Sequence, residues 1–218
     1  MEFLSNRWNC RGVVLQTLAL AAVLSVYRPV ASAATIGTVV PVVGQVAALV
    51  YDTTRNLVYL ATAARNDVEI YSVDGRRIIG SVQTGLQPGS LAISPDGNTL
   101  YVANIGSLTI SAINLNFQRS VTDYAVGSRP DAIAVGSDGK VVILGTAGLL
   151  RLDPATGVIS PVPISPPATP PAGLPNIAAS ATPAGFLAGL VTTASGNLII
   201  GLSTNRLFVY EVASGTVL

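Results

Sequence analysis

Asp67 and Glu69 stand two residues apart in Asn66-Asp67-Val68-Glu69-Ile70-Tyr71, so on a β-strand both carboxylates leave the same face. Such a pair can divide acid and base duties in a hydrolase. That work needs a third group to hold the pair in place, and none is identifiable from spacing, so the pair reads as a solvated strand face. The rest of the inventory is thinner. The 218 residues contain no histidine and a single cysteine, Cys10, which removes the Ser-His-Asp triad, the Cys-His pair and imidazole or multi-thiolate metal sites. Lys140 is the single lysine and follows Asp138-Gly139 in a turn, a poor place for a Ser-Lys pair. There is no Gly-x-Ser-x-Gly elbow and no P-loop. Asp96 in Pro95-Asp96-Gly97-Asn98 supplies one carboxylate where a calcium loop needs several oxygen ligands at regular spacing. Tyr51, Tyr59 and Tyr71 could stack on a sugar, but tyrosines on strands usually pack their rings between sheets. No catalytic residue, metal ligand or cofactor site is assigned, and the expectation is a protein that is not an enzyme.

The elements that position these residues are short strands. Leu91 to Asn104 (LAISPDGNTLYVAN) alternates apolar and smaller residues on both sides of the Pro95 to Asn98 break, the pattern of a β-hairpin. Asp96-Gly97 suits the turn, since glycine accepts a positive φ and the aspartate can accept hydrogen bonds from the turn backbone. A shift of 42 positions lays this hairpin on Leu49 to Thr62 upstream and on Ile133 to Thr146 downstream without a gap. Gly85 then matches Gly127, Pro88 matches Pro130 and Val73 matches Leu115, so the repeated unit is larger than a hairpin. A period of about 40 to 45 residues with four short strands is the signature of a propeller blade.

At these residues the chain resembles the YVTN-type β-propeller repeat proteins. Tyr101-Val102-Ala103-Asn104 stands where that family has its eponymous tetrapeptide, after the Ser94 to Gly97 turn and the Gly-x-x-Pro start at Gly85 to Pro88. Tyr59 to Thr62 and Ile143 to Thr146 hold that place in the flanking modules. The resemblance implies an all-β propeller of about four recognisable four-stranded blades, running from innermost to outermost strand. The family usually closes with about seven blades, so three outcomes stay open: a small closed ring, an open arc that pairs with a second copy, or a piece of a larger propeller.

Residues 1–33 read as a secretory signal peptide. Arg7 and Arg11 precede the apolar run Val13 to Val26, and Ala31-Ser32-Ala33 fits an A-x-A cleavage site. That run is shorter than the roughly 20 residues needed to span a bilayer. Residues 34–218 are then near-neutral, with no electrostatic footprint for nucleic acid or anionic lipid. Membrane contact is expected only through the export signal, and the protein is expected outside the cell, at its surface or in a periplasm. Arg76-Arg77, the only basic pair in this part of the chain, reads as an exposed turn.

Residues 36–43 resemble the outermost strand at Ile79 to Thr84 and are expected to be an orphan outer strand that clasps the last blade. Blade 1 is placed at residues 45–85, blade 2 at 86–127, blade 3 at 128–164 and an incomplete blade 4 at 189–218. Blade 3 is five residues short, with the loss around Gly145 to Gly148. Between blades 3 and 4 lies a proline- and alanine-rich insertion, residues 165–188. Ser160 to Pro175 alone holds seven prolines, a density expected to keep the segment out of any sheet. Pro166, Pro167, Pro170, Pro171 and Pro175 make it a candidate partner-binding loop, since a rigid segment loses little entropy on binding.

These readings give a secreted or cell-surface, noncatalytic propeller that binds or scaffolds a protein or surface polymer, with self-association through open blade edges a further option. The competing readings are a lactonase-type propeller enzyme acting on a sugar acid or lactone, and a fragment without activity of its own. An enzyme should gather Asp, Glu and Arg at the mouth of the central channel. A scaffold should line that channel with innermost-strand residues such as Leu91, Ile93, Ile133 and Val135.

Overall fold

The computed structural model describes residues 39–42, 44–116, 119–163, 189–203 and 206–218, without the side chains of Ser203 and Arg206. The alternating runs become strands within a residue or so of where their patterns place them. The first sheet is β1 (Val46–Asp52), β2 (Leu57–Thr62), β3 (Asp67–Ser72) and β4 (Arg77–Gln83). The second is β5 (Pro88–Ile93), β6 (Thr99–Asn104), β7 (Thr109–Asn114) and β8 (Val121–Ala125). The third is β9 (Pro130–Val135), β10 (Val141–Gly145), β11 (Gly148–Asp153) and β12 (Val158–Pro161). The fourth is β13 (Gly189–Thr192), β14 (Leu198–Ser203), β15 (Arg206–Glu211) and β16 (Thr216–Val217). Each sheet pairs its strands in chain order, every pair antiparallel. All four belong to the unit 40–218.

Turn chemistry explains the register. The glycines of the Asp-Gly turns and their counterpart, Gly97, Gly139 and Gly196, all have φ near +70°, a conformation that costs glycine nothing. Asp96 accepts hydrogen bonds from the Asn98 amide at 3.0 Å and from its side chain at 2.8 Å. In the third sheet Gly145 pairs with Gly148 across two residues where the second sheet pairs Ala103 with Ile110 across six, so the repeat is shortened by four residues at this turn and not by five.

Successive residues of a strand point to opposite faces, and the middle strands are apolar at consecutive positions, as in Leu100 to Ala103 and Val141 to Leu144, so the sheets have two apolar faces and neighbouring sheets bury one from each side. Val50, Tyr59, Val68 and Ile70 of the first sheet pack on Leu91, Leu100, Val102 and Ile113 of the second. Tyr101, Ala103 and Ile110 then pack on Ile133, Val135, Val141 and Ile143 of the third. Ala132, Ala134, Val142 and Leu144 pack on Ile199, Phe208 and Tyr210 of the fourth. Full burial of each large side chain contributes roughly 1.5–3 kcal/mol. Gly201 is required at the last joint, because a Cβ there would lie 2.0 Å from the Phe208 ring.

Three expectations are corrected. Ser160 and Pro161 belong to β12, with Pro161 opposite Leu150; an outermost strand needs hydrogen bonds on one side only, so its last residue can be proline. Residues 39–42 of the expected orphan strand 36–43 lie in no strand, and the outer place in the fourth sheet is held by β16. The Ser214-Gly215 turn supplies that strand locally, at far smaller loop-closure cost than a segment some 170 residues away. Leu91, Ile93, Ile133 and Val135 pack between sheets and do not line a channel, because alternate side chains of an innermost strand point at the neighbouring sheets and leave the strand edge to face inward.

Candidate functional site

A cleft of about 420 Å³ opens at one end of the innermost strands, lined by Ala47, Ala63, Ala64, Gln87, Pro88, Gly89, Ile105 and Arg129. Its walls come from a device used three times. The pairing of β1 with β2 skips Ala47, that of β5 with β6 skips Gly89, and that of β9 with β10 skips Asp131. These β-bulges re-aim one residue at the start of each innermost strand, and they recur at the 42-residue period. Ala47 and Gly89 put almost no side chain there, which leaves the space open.

The third repeat closes that space with charge. Arg129 Nε lies 2.7 Å from Asp131 Oδ1, and the Arg129 amide donates to Thr146 Oγ1 at 3.3 Å. Gly145 holds the strand that backs this pair: a Cβ there would meet the Arg129 carbonyl oxygen at 2.0 Å. On the opposite wall Gln87 has φ +54°, its amide donates to Asn66 Oδ1 at 2.9 Å and its carbonyl accepts from Ile105. The cleft is thus an apolar floor of alanine, proline, glycine and isoleucine with a guanidinium and an amide at its rim. It can hold a small apolar group and orient an adjoining polar one.

Asp67 and Glu69 are not on a solvated face. Both are buried, because the turn between β2 and β3 folds Arg65 back over them. Arg65 Nε lies 3.2 Å from Asp67 Oδ2, and its Nη1 donates to Glu69 Oε1 at 3.1 Å. Thr62 Oγ1 donates to Asp67 Oδ1 at 2.7 Å. One guanidinium bridges the two carboxylates and fixes their positions, and it offsets only one of their two charges. The tyrosines separate as well. Tyr59 is buried between sheets one and two with its hydroxyl toward Asp52, whereas Tyr51 lies half exposed on the other face of its sheet and donates to Asn56 Oδ1.

A third buried carboxylate, Asp52, was not singled out by its sequence position. Its Oδ1 accepts from the amides of Thr54 and Arg55 at 2.9 and 3.1 Å, and its Oδ2 accepts from Arg55 Nη1 at 2.9 Å. Burial pushes this carboxyl up, but the Arg55 guanidinium and the two amides outweigh it and hold the group below its ordinary value. Lys140 is in its turn, 3.3 Å from Asp153 Oδ2. Among the described residues no three of His, Cys, Asp and Glu gather as metal ligands would. Pro166, Pro167, Pro170, Pro171 and Pro175, and the expected signal peptide at residues 1–33, lie outside the described residues.

No family model matches the sequence, and no curated protein matches it. Solved structures do. The β-propeller domain of Cps50 (Swd1) from Myceliophteria thermophila superposes with a TM-score of 0.62 at 13% identity, covering 83% of this chain and 56% of that one. The fold is a β-propeller. Its sheets are therefore blades, and β1, β5, β9 and β13 are the innermost strands. Hydrazine synthase from Kuenenia stuttgartiensis gives a TM-score of 0.63 at 15% identity over 84% of this chain and 51% of that one. An auxiliary nutrient binding protein from Bacteroides thetaiotaomicron gives 0.58 at 12% identity over 80% and 40%. The chain thus spans about half the length, or less, of the propeller proteins it superposes on. These likenesses include an enzyme and a binding protein, and they carry the fold alone.

Proposed function

We propose that this chain is a YVTN-type propeller, exported to the cell surface or beyond, which binds a protein or surface polymer without transforming it. The cleft between the bulges of β1, β5 and β9 carries this reading. Small residues at Ala47 and Gly89 open a space that a side chain or chain end of a partner can enter, and Arg129 and Gln87 at the rim give it direction. The export signal read at residues 1–33 supports the location. The insertion carrying Pro166 to Pro175 would be a second contact, on sequence grounds.

The test is selection of a displayed random-peptide library on the immobilised full chain. Selected peptides should bind wild type and weaken on the order of tenfold or more with Ala64→Trp, which fills the cleft from its exposed wall, or with Arg129→Glu. Binding indifferent to both substitutions would remove the cleft from the reading. A sugar lactone assayed alongside should be hydrolysed no faster than the blank, and turnover above it would favour the lactonase alternative.

A further inference from the structure

Each joint between blades in this chain is made the same way: a trailing face, turned toward the next blade, meets a leading face, turned toward the previous one. Three such joints follow one another, and packing of innermost strands runs from β1 to β5, β9 and β13. Among the described residues two faces are left without a neighbouring blade. The leading face of blade 1 carries Leu49, Tyr51, Val58, Leu60 and Tyr71, by the 42-residue register the counterparts of residues buried in blade 2. Leu49 is 68% exposed and Tyr51 49%. The trailing face of blade 4 carries Val191, Ile200, Leu202 and Leu207, exposed by 67, 40, 49 and 72%. Contiguous apolar exposure of this kind marks an interaction site.

We propose that a second copy of this chain closes the arc, the trailing face of each blade 4 seating on the leading face of the other copy's blade 1. The two open faces are the unpaired halves of the joint this chain already makes three times, so the complementary surface exists in the molecule itself. Size agrees. Four blades cover about half of the propeller chains they superpose on, and a second copy supplies four more. Eight blades lie within the range of about four to eight that propellers use. A head-to-tail joint of this kind gives a ring when the rotation closes and a filament when it does not; two arcs of four close into a ring with twofold symmetry and no open face.

Light scattering of the full chain after size exclusion should give twice the 22.2 kDa chain mass. Leu49→Lys and Leu202→Glu each put a charge into one half of the joint at an exposed position, so each should stay folded by circular dichroism and weaken the dimer on the order of 100-fold. Mixing the two variants should restore a heterodimer, since one of its joints is then unaltered and the other pairs lysine with glutamate. Leu207→Glu replaces Leu202→Glu if the latter fails to fold. A wild-type monomer at tens of micromolar, a dimer untouched by both charges, or open-ended polymer would each overturn the closed ring.

Discussion

Arg55 donates a hydrogen bond through Nη1 to the carbonyl oxygen of Gly97 at 2.7 Å, and the two residues occupy the same position in successive repeats, 42 residues apart. The β1–β2 turn of blade 1 is thereby tied to the β5–β6 turn of blade 2, with the Arg55 Nη2 bond to Asn116 as a second strand of the tie. The same guanidinium neutralises Asp52. The joint between blades 3 and 4 has its own version, in which the Ser137 amide donates to the Gly196 carbonyl at 2.8 Å.

Arg55→Ala should therefore destabilise the protein by roughly 1–3 kcal/mol, the cost of leaving a half-buried carbonyl and the buried Asp52 carboxylate without their donor. Urea unfolding at pH 7 measures it. Asp52→Asn tests the linkage. Because the folded carboxyl lies below its unfolded value, its stabilising effect is full above the unfolded pKa and is lost as pH falls through the folded one. Wild type should lose stability below about pH 4 more steeply than Asp52→Asn. Parallel pH profiles would show that Asp52 is not tuned by its partners.

Arg65 holds two buried carboxylates, so Arg65→Ala should cost roughly 3 kcal/mol or more, as breaking a buried ion pair from one side does. Adding Glu69→Gln should recover part of that loss, since one uncompensated charge is then gone. A double variant no more stable than Arg65→Ala would place the cost in packing and not in charge.

Leu108 has φ +57°, in the place where the first repeat has Asn66 at the same φ. A leucine in the left-handed region is strained, whereas asparagine or glycine tolerates it. Leu108→Asn should raise stability by about 1 kcal/mol, read as a higher urea midpoint at unchanged slope.

Gly145→Ala should do the reverse. The new methyl would strike the Arg129 carbonyl, so the end of β9 must shift, at a cost of roughly 1–3 kcal/mol. Because Arg129 lies on the cleft rim, peptide binding should fall along with thermal stability. Stability lost with binding intact would separate the rim from its support.

Much of the fold was legible because strand alternation and turn residues are local. Leu91, Ile93, Leu100 and Val102 announce a hairpin, and the same pattern 42 residues away announces a second. The cleft was less so. A bulge changes no residue type, and the only trace in sequence is a small or polar residue just after Pro88 and Pro130. The buried state of Asp67 and Glu69 was hidden for a related reason: spacing put them on one face, but a turn conformation brought Arg65 across it.

The amino-acid sequence by itself determined the period, the strands, the two apolar faces of each sheet and the places where glycine must turn the chain, since these follow from alternation and backbone preference within a few residues. Tertiary structure decided which faces meet and which are left over. It buried Asp52 under Arg55, put Leu91 and Ile133 between blades and left Leu49 and Leu202 in solvent. Residues of like pattern met these different fates because burial depends on whether another sheet arrives opposite, and among the described residues none does at the outer faces of blades 1 and 4.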